Sequence, residues 1–277
     1  MLTQKPLIQR VSDVIFSIES SKGDMEFMKT GFSTLDEKLD GGFLRKELVV
    51  IGGATGIGKS YLASQLLLNI ASQGFKSAYF SLEISNEMIV SRMLGTISNI
   101  KPTRIRMGML TSEEFENKTK AKVKLESLGD FLFFYDQTYQ LSDIEDEIKK
   151  HTFEFVVIDF IQNIFTEGTD EYSRLSKAAL ELQKTAKENN CTILVLSQLS
   201  NMVAREGNSS KVIEYRGSGS IAMVCDLGFF IEREASVSPD GYHVDLLNLN
   251  LKKNRRGISG ISFQLAFRHP GGWIYEA

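Results

Sequence analysis

With 277 residues, 42% of them hydrophobic, the chain is long enough to bury a full-sized core, and its length suits one large α/β domain with a short N-terminal arm. Lys and Arg total 32 against 35 for Asp and Glu, so a net charge of −3 excludes a global electrostatic footprint for nucleic acid and leaves any such binding to a local basic patch. No apolar run approaches the ~18 residues of a membrane span and residues 1–10 lack a signal-peptide core, which reads as a soluble, cytoplasmic protein without membrane partners.

Leu7, Val11, Val14, Ile15 and Ile18 recur at helical spacing and predict an amphipathic helix. The polar breaker Ser20 to Asp24 follows it, so residues 1–24 form an arm tethered to a domain of residues 25–277. The stripe on this helix has two possible docking surfaces, its own domain or a neighbouring copy. Strand-like runs then alternate with helical patterns: 47–51, 77–82, 131–135, 155–158 and 192–196. That order predicts a largely parallel sheet covered by helices. Thr34 with Glu37, Thr111 with Glu114 and Ser142 with Glu145 have capping-box spacing and mark helix starts. Beyond Leu227 the runs 227–232, 244–251 and 261–267, with turns at Pro239-Asp240-Gly241 and 257–260, predict antiparallel hairpins at one sheet edge. Cys191 and Cys225 lie in apolar stretches without CxxC spacing and read as reduced core thiols.

Gly53-Ala54-Thr55-Gly56-Ile57-Gly58-Lys59-Ser60 fits G-x-x-x-x-G-K-[ST], directly after one predicted strand and opening the predicted helix 60–71. Its glycines let backbone N–H groups turn inward around a phosphate, Lys59 neutralises outer phosphate charge, and Ser60 can ligate magnesium. The implied ligands are ATP and Mg2+. In open parallel sheets such ligands bind outside the carboxyl ends of the strands. Three polar residues follow strands there. Asp159 follows four apolar residues and needs a cation or donors to hold it, reading as the second magnesium-site carboxylate. Glu83 is placed to activate a water, or to cap the helix near Ser85. Gln198 is a neutral donor able to sense a γ-phosphate, or a loop hydrogen-bonding residue. Lys252, Lys253, Arg255 and Arg256 concentrate positive charge between two strands, which suits either a protected sheet edge or a phosphate clamp.

At this point the chain resembles the DnaB-like family of hexameric replicative helicases over nearly all of 7–275. The resemblance rests on Thr30-Gly31-Phe32-Ser33-Thr34-Leu35-Asp36 with Gly41-Gly42, the phosphate loop, Ser81-Leu82-Glu83-Ile84-Ser85, Ile158-Asp159-Phe160-Ile161-Gln162, Leu196-Ser197-Gln198-Leu199, Arg216-Gly217-Ser218-Gly219-Ser220-Ile221, and Lys253-Asn254-Arg255-Arg256-Gly257. It implies a RecA-like P-loop ATPase core that assembles head to tail, with Glu83 as catalytic base, Gln198 as sensor and Arg92 stacked on the nucleotide base. Lys253 and Arg255 would reach the nucleotide of the next subunit. Single-stranded DNA would meet the loops containing Arg205, Lys211, Arg216, Gly217 and Gly219, although the glycine-rich turn also suits a plain helix cap. A helicase loader and a primase are the implied protein partners. The family's N-terminal helical or primase domain has no counterpart in these residues, and Ala222-Met223-Val224-Cys225 is more apolar than the family's usual run. A second class of function is therefore an accessory assembly protein that binds nucleotide without unwinding. A third is a relative in the recombinase or circadian-clock branch.

Overall fold

The computed structural model describes residues 10–20, 27–198, 219–237 and 243–277. In chain order these form α1 (Val11–Ser20), α2 (Ser33–Lys38), β1 (Leu48–Gly53), α3 (Lys59–Ala71), β2 (Ser77–Ser81), α4 (Asn86–Ser98), α5 (Pro102–Met107), α6 (Ser112–Glu126), β3 (Leu132–Tyr135), α7 (Leu141–His151), β4 (Phe155–Asp159), a 3-10 turn (Ile161–Asn163), α8 (Glu171–Glu188), β5 (Thr192–Gln198), α9 (Gly219–Val224), β6 (Leu227–Val237), β7 (His243–Asn254), β8 (Ile261–Arg268) and β9 (Trp273–Glu276).

The strands make one sheet in the order β3-β2-β4-β5-β1-β6-β7-β8-β9. The first six are joined by parallel ladders and the last four by antiparallel ones, with β6 belonging to both groups. Alternate residues of each strand face opposite sides. Val49, Ile51, Tyr79, Val157 and Leu194 pack with Leu62, Leu66 and Met93 on one face. Leu48, Val50, Phe80, Ile158 and Val195 pack with Ile144, Leu175 and Leu182 on the other. Burial on both faces explains why 155–158 and 192–196 read as unbroken apolar runs, and each such side chain contributes about 1.5–3 kcal/mol.

Several local expectations are corrected. Thr111 and Glu114 do form a capping box on α6. Thr34 and Ser142 do not cap: α2 follows Phe32 and α7 follows Gln140, neither with a side-chain cap. At α2 the Glu276 carboxylate from β9 accepts from the Thr34 N–H and the Ser33 hydroxyl, so tertiary structure supplies the cap. At α7 the Leu141 N–H is already taken by the Phe165 carbonyl. A reciprocal box at Asp170 and Ser173 starts α8 instead. Helix α3 begins one residue earlier than expected and is buried around most of its circumference. Strand β9 has no counterpart among the sequence-predicted runs, and the turn at Pro239-Asp240-Gly241 lies outside the described residues.

Cys191 and Cys225 are buried and not joined in a disulfide, and burial pushes their thiols up to about 12 and about 11 respectively, as expected of inert core cysteines. Among the described residues no helix is long and apolar enough to cross a membrane. The arm helix is seen as α1, with Leu7 outside the described residues. Val11, Val14, Ile15 and Phe16 on it are all exposed, so these four side chains are not packed on the described residues of the domain.

Candidate nucleotide site

Sheet register assembles the site. Gly53 pairs with Gln198 across β1 and β5, Ser81 pairs with Asp159 across β2 and β4, and Ile158 pairs with Val195 between them. The carboxyl ends of four adjacent strands therefore lie in a row about 14 Å wide at ~4.8 Å per strand.

Strand β1 runs two residues further than its sequence suggested and ends at the first glycine of the loop. A side chain at Gly53 would collide with Ile231, whose Cγ2 lies 2.7 Å from the Cβ position. Gly56 and Gly58 take φ of 77° and 111°, a left-handed backbone that turns consecutive N–H groups toward one centre. Gly58 is also the residue before α3, so the helix N-terminus opens on the loop. Lys59 is buried, and its Nζ donates to the Gly53 and Ala54 carbonyls, each at 2.8 Å. Burial lowers its pKa, while the Asp159 and Glu83 carboxylates raise it back toward normal. Asp159 is buried at the end of β4 and accepts from the Tyr79 hydroxyl at 2.7 Å. Burial foremost, and then the Asp159 charge, raises the Tyr79 pKa well above its ordinary value, so it stays a donor.

Glu83 does not follow its strand directly. β2 ends at Ser81, and Glu83 sits exposed in the bend beyond it, with no hydrogen bond or ion pair to the described residues. The capping alternative is filled by another residue, because Asp136 accepts from the Asn86 N–H at the start of α4 at 2.8 Å. Gln198 ends β5 half-buried, and Gln162 holds its backbone at both polar groups: Oε1 accepts from the N–H at 3.3 Å and Nε2 donates to the carbonyl at 3.0 Å. Arg92 lies on α4 with its guanidinium 5.2 Å from the centre of the Tyr61 ring, one residue past Ser60. A buried cation, a left-handed glycine loop at a helix start and a buried carboxylate two strands away are the donor set that a magnesium-bound triphosphate needs.

Lys253 and Arg255 stand elsewhere. Leu227 pairs with Asn254, and the Asp226 N–H donates to the Leu48 carbonyl, so both cations lie at the opposite end of β1 from the loop. Neither side chain is loose. Arg255 donates to Asp226 at 3.0 Å and to the Met223 carbonyl at 3.2 Å, and Lys253 Nζ reaches the same carbonyl at 2.6 Å. Arg256 is a strut rather than a phosphate ligand: it pairs with Glu47 at 2.9 Å and donates to the Leu39 and Gly42 carbonyls. The four cations of 252–256 thus divide between internal support and the rim. Gly219 opens α9, while Arg205, Lys211, Arg216 and Gly217 lie outside the described residues.

Sequence reasoning missed the supports: Tyr79 behind Asp159, Gln162 behind Gln198, and Arg233, whose NH1 lies 3.5 Å from the Gly56 carbonyl while its head pairs with buried Asp245 beside His269. Only their neighbours in the sheet identify them.

Fold and site together define a RecA-like sheet with a P-loop at the carboxyl ends of its parallel strands. Residues 28–270 match the family described as the DnaB-like helicase C terminal domain, and the chain belongs to that family. The replicative DNA helicase DnaB of Geobacillus stearothermophilus is 29% identical over 274 residues, covering 95% of this chain and 59% of the relative. That of Rickettsia typhi is 31% identical over 227 residues, covering 75% and 45%. The chain thus spans about three fifths or less of the length of these relatives. Among solved structures, an ATPase domain superposes with a TM-score of 0.83 at 22% identity, covering 96% of this chain and 97% of that one, which supports the fold. A DnaB-like replicative helicase described with its interactions with primase gives 0.82 at 19% identity, covering 98% and 67%.

Proposed function

We propose that the chain is the ATP-hydrolysing motor of a ring-forming replicative helicase that moves along single-stranded DNA and unwinds duplex ahead of it. The observation that carries this reading is the gathering of Lys59, Asp159, Glu83 and Gln198 around the glycine loop at one end of the sheet. The amides of 53–58 and the Lys59 ammonium hold phosphate, and Ser60 with Asp159 holds Mg2+. Bound there, Mg2+ supplies charge neutralisation to the phosphoryl group in transfer. Glu83 orients water and accepts its proton. Gln198 donates toward the terminal phosphate, and Arg92 faces the base.

Assembly follows from where the remaining cations lie. Arg255 stands beside Leu48, five residues before Gly53 on an extended strand, or about 17 Å from its own loop at ~3.3 Å per residue. That distance favours action on the nucleotide of an adjacent copy in a head-to-tail ring. The exposed stripe residues Val11, Val14 and Ile15, in a segment whose sequence also carries Asp13 and Glu19, suit the exposed Met107, Met109 and Phe115 of a second copy, which lie among Arg104, Arg106, Lys118 and Lys122. In this reading the arm 1–24 ties each subunit to the next, with the hexamer as the closed form. DNA backbone then meets the segments containing Arg205, Lys211, Arg216, Gly217 and Gly219, with strong salt dependence and weak sequence preference. A loader and a primase are the protein partners.

The test is the ATPase rate with and without single-stranded DNA at low salt, measured alongside mass in solution. Stimulation by DNA in a ring-sized particle is expected. A monomer whose rate ignores DNA overturns the reading. Strand displacement by this chain excludes a purely accessory role. Ile15→Glu is expected to shift the particle toward smaller species, since losing one buried isoleucine weakens each interface by about 1.5–3 kcal/mol, roughly 10- to 100-fold. An unchanged mass in Ile15→Glu removes the arm from assembly.

A further inference from the structure

Behind the two rim cations lies one buried carboxylate, and the nucleotide chemistry above makes no use of it. Asp226 connects α9 to β6 and is almost wholly buried. Its Oδ2 accepts from the Leu48 N–H at 2.9 Å, at the start of β1. Gln183 of α8 donates to Oδ1 at 3.3 Å, and the same amide donates to the Val224 carbonyl at 2.6 Å. Arg255 NH1 donates to Oδ1 at 3.0 Å, and the Arg255 backbone N–H donates to the Asp226 carbonyl at 3.0 Å. The carboxylate is thus fixed by the central strand and a packed helix before Arg255 is considered.

The guanidinium is gripped on two sides, by Asp226 and by the Met223 carbonyl, and that carbonyl also receives Lys253. Yet the Arg255 side chain remains 45% exposed. Guanidinium N–H groups not used by these two acceptors are left to face outward, in a plane that the grip defines. A long cationic side chain at a rim would otherwise sample many rotamers and lose that freedom on contacting phosphate.

We propose that Asp226 is a positioning residue for hydrolysis at the adjacent subunit: it sets the direction of the Arg255 guanidinium and, through the shared Met223 carbonyl, keeps Lys253 beside it. The inference rests on Arg255 acting across the interface. Because Asp226 also holds the first residue of β1, whose last residue begins the phosphate loop, the strand ties each chain's own nucleotide loop to the cation it offers its neighbour.

Steady-state hydrolysis by the full chain, with Asp226→Asn, Arg255→Ala and the double variant, tests it. Asparagine can keep the Leu48 bond but turns a donor toward the guanidinium. Asp226→Asn is expected to lower kcat about 10- to 100-fold, the size of effect that follows from a misaimed group, with KM for ATP little changed. The double variant should be no slower than Arg255→Ala, since both changes remove one function. Losses that multiply would show a merely structural carboxylate and overturn the inference, as would wild-type kcat in Asp226→Asn beside a slow Arg255→Ala. If Arg255→Ala itself turns over normally, the role of Arg255 fails and the inference with it. Asp226→Glu serves if asparagine prevents folding: it keeps the charge and displaces the guanidinium by one methylene. A reduced kcat at unchanged KM is expected, and wild-type kcat overturns the inference.

Discussion

Lys59→Ala is expected to lower ATP hydrolysis by about three orders of magnitude or more and to weaken binding of a non-hydrolysable analogue. A unit charge about 4 Å from a phosphate contributes about 4 kcal/mol at an effective dielectric near 20, and each ~1.4 kcal/mol is a factor of ten. Lys59 lies in the buried part of that range, since burial is the largest influence on its ammonium. Its removal does more than delete a charge. The Gly53 and Ala54 carbonyls lose the donor they share, leaving polar groups to find new partners at a cost of about 1–3 kcal/mol each where they stay buried. The loop should therefore loosen as well as lose affinity. Analogue titration and turnover, each on protein whose thermal melting shows a folded chain, check the effect. Wild-type turnover in folded Lys59→Ala would sink the phosphate-loop assignment itself.

How much of this was legible beforehand depends on whether the information was local. The phosphate loop announced itself because its glycines, its lysine and the flanking strand and helix are consecutive, and Asp159 because a carboxylate ending an apolar run has few explanations. The parallel order also followed from local pattern, with the ends of β1 to β5 misjudged by a residue or two and β6 and β7 running five and three residues further than expected. What failed depended on distant partners. Thr34 has the right neighbours for a cap, but Glu276 arrives from the far end of the chain and takes the work. Arg256 looked like its neighbour Arg255 until Glu47 and the Gly42 carbonyl appeared beside it. Gln162 and Tyr79 gain their roles only through the pairing of β4 with β5 and β2, which spacing along the chain does not encode. Residues proposed to touch ligand carry short-range signatures, and those that hold them in place carry long-range ones.

Glu83→Gln is expected to leave analogue binding nearly unchanged while reducing kcat about 10²- to 10⁴-fold, the usual contribution of a positioned general base. Two carboxylates compete for that role, and their surroundings separate them. Asp159 is buried and already bonded to the Tyr79 hydroxyl, which suits it to the proposed metal role rather than to taking a proton from water. Glu83 is exposed, has no hydrogen-bond partner among the described residues, and lies close enough to Lys59 to raise its pKa. A free carboxylate beside the phosphate-holding cation can bind water without first breaking a structural bond. Glutamine keeps the size and removes the proton acceptor, so a loss confined to kcat isolates base chemistry from binding. Asp159→Asn should differ in kind, altering the magnesium concentration needed for activity as well as turnover. Wild-type kcat in Glu83→Gln, with Asp159→Asn affecting turnover alone, would exchange the two assignments.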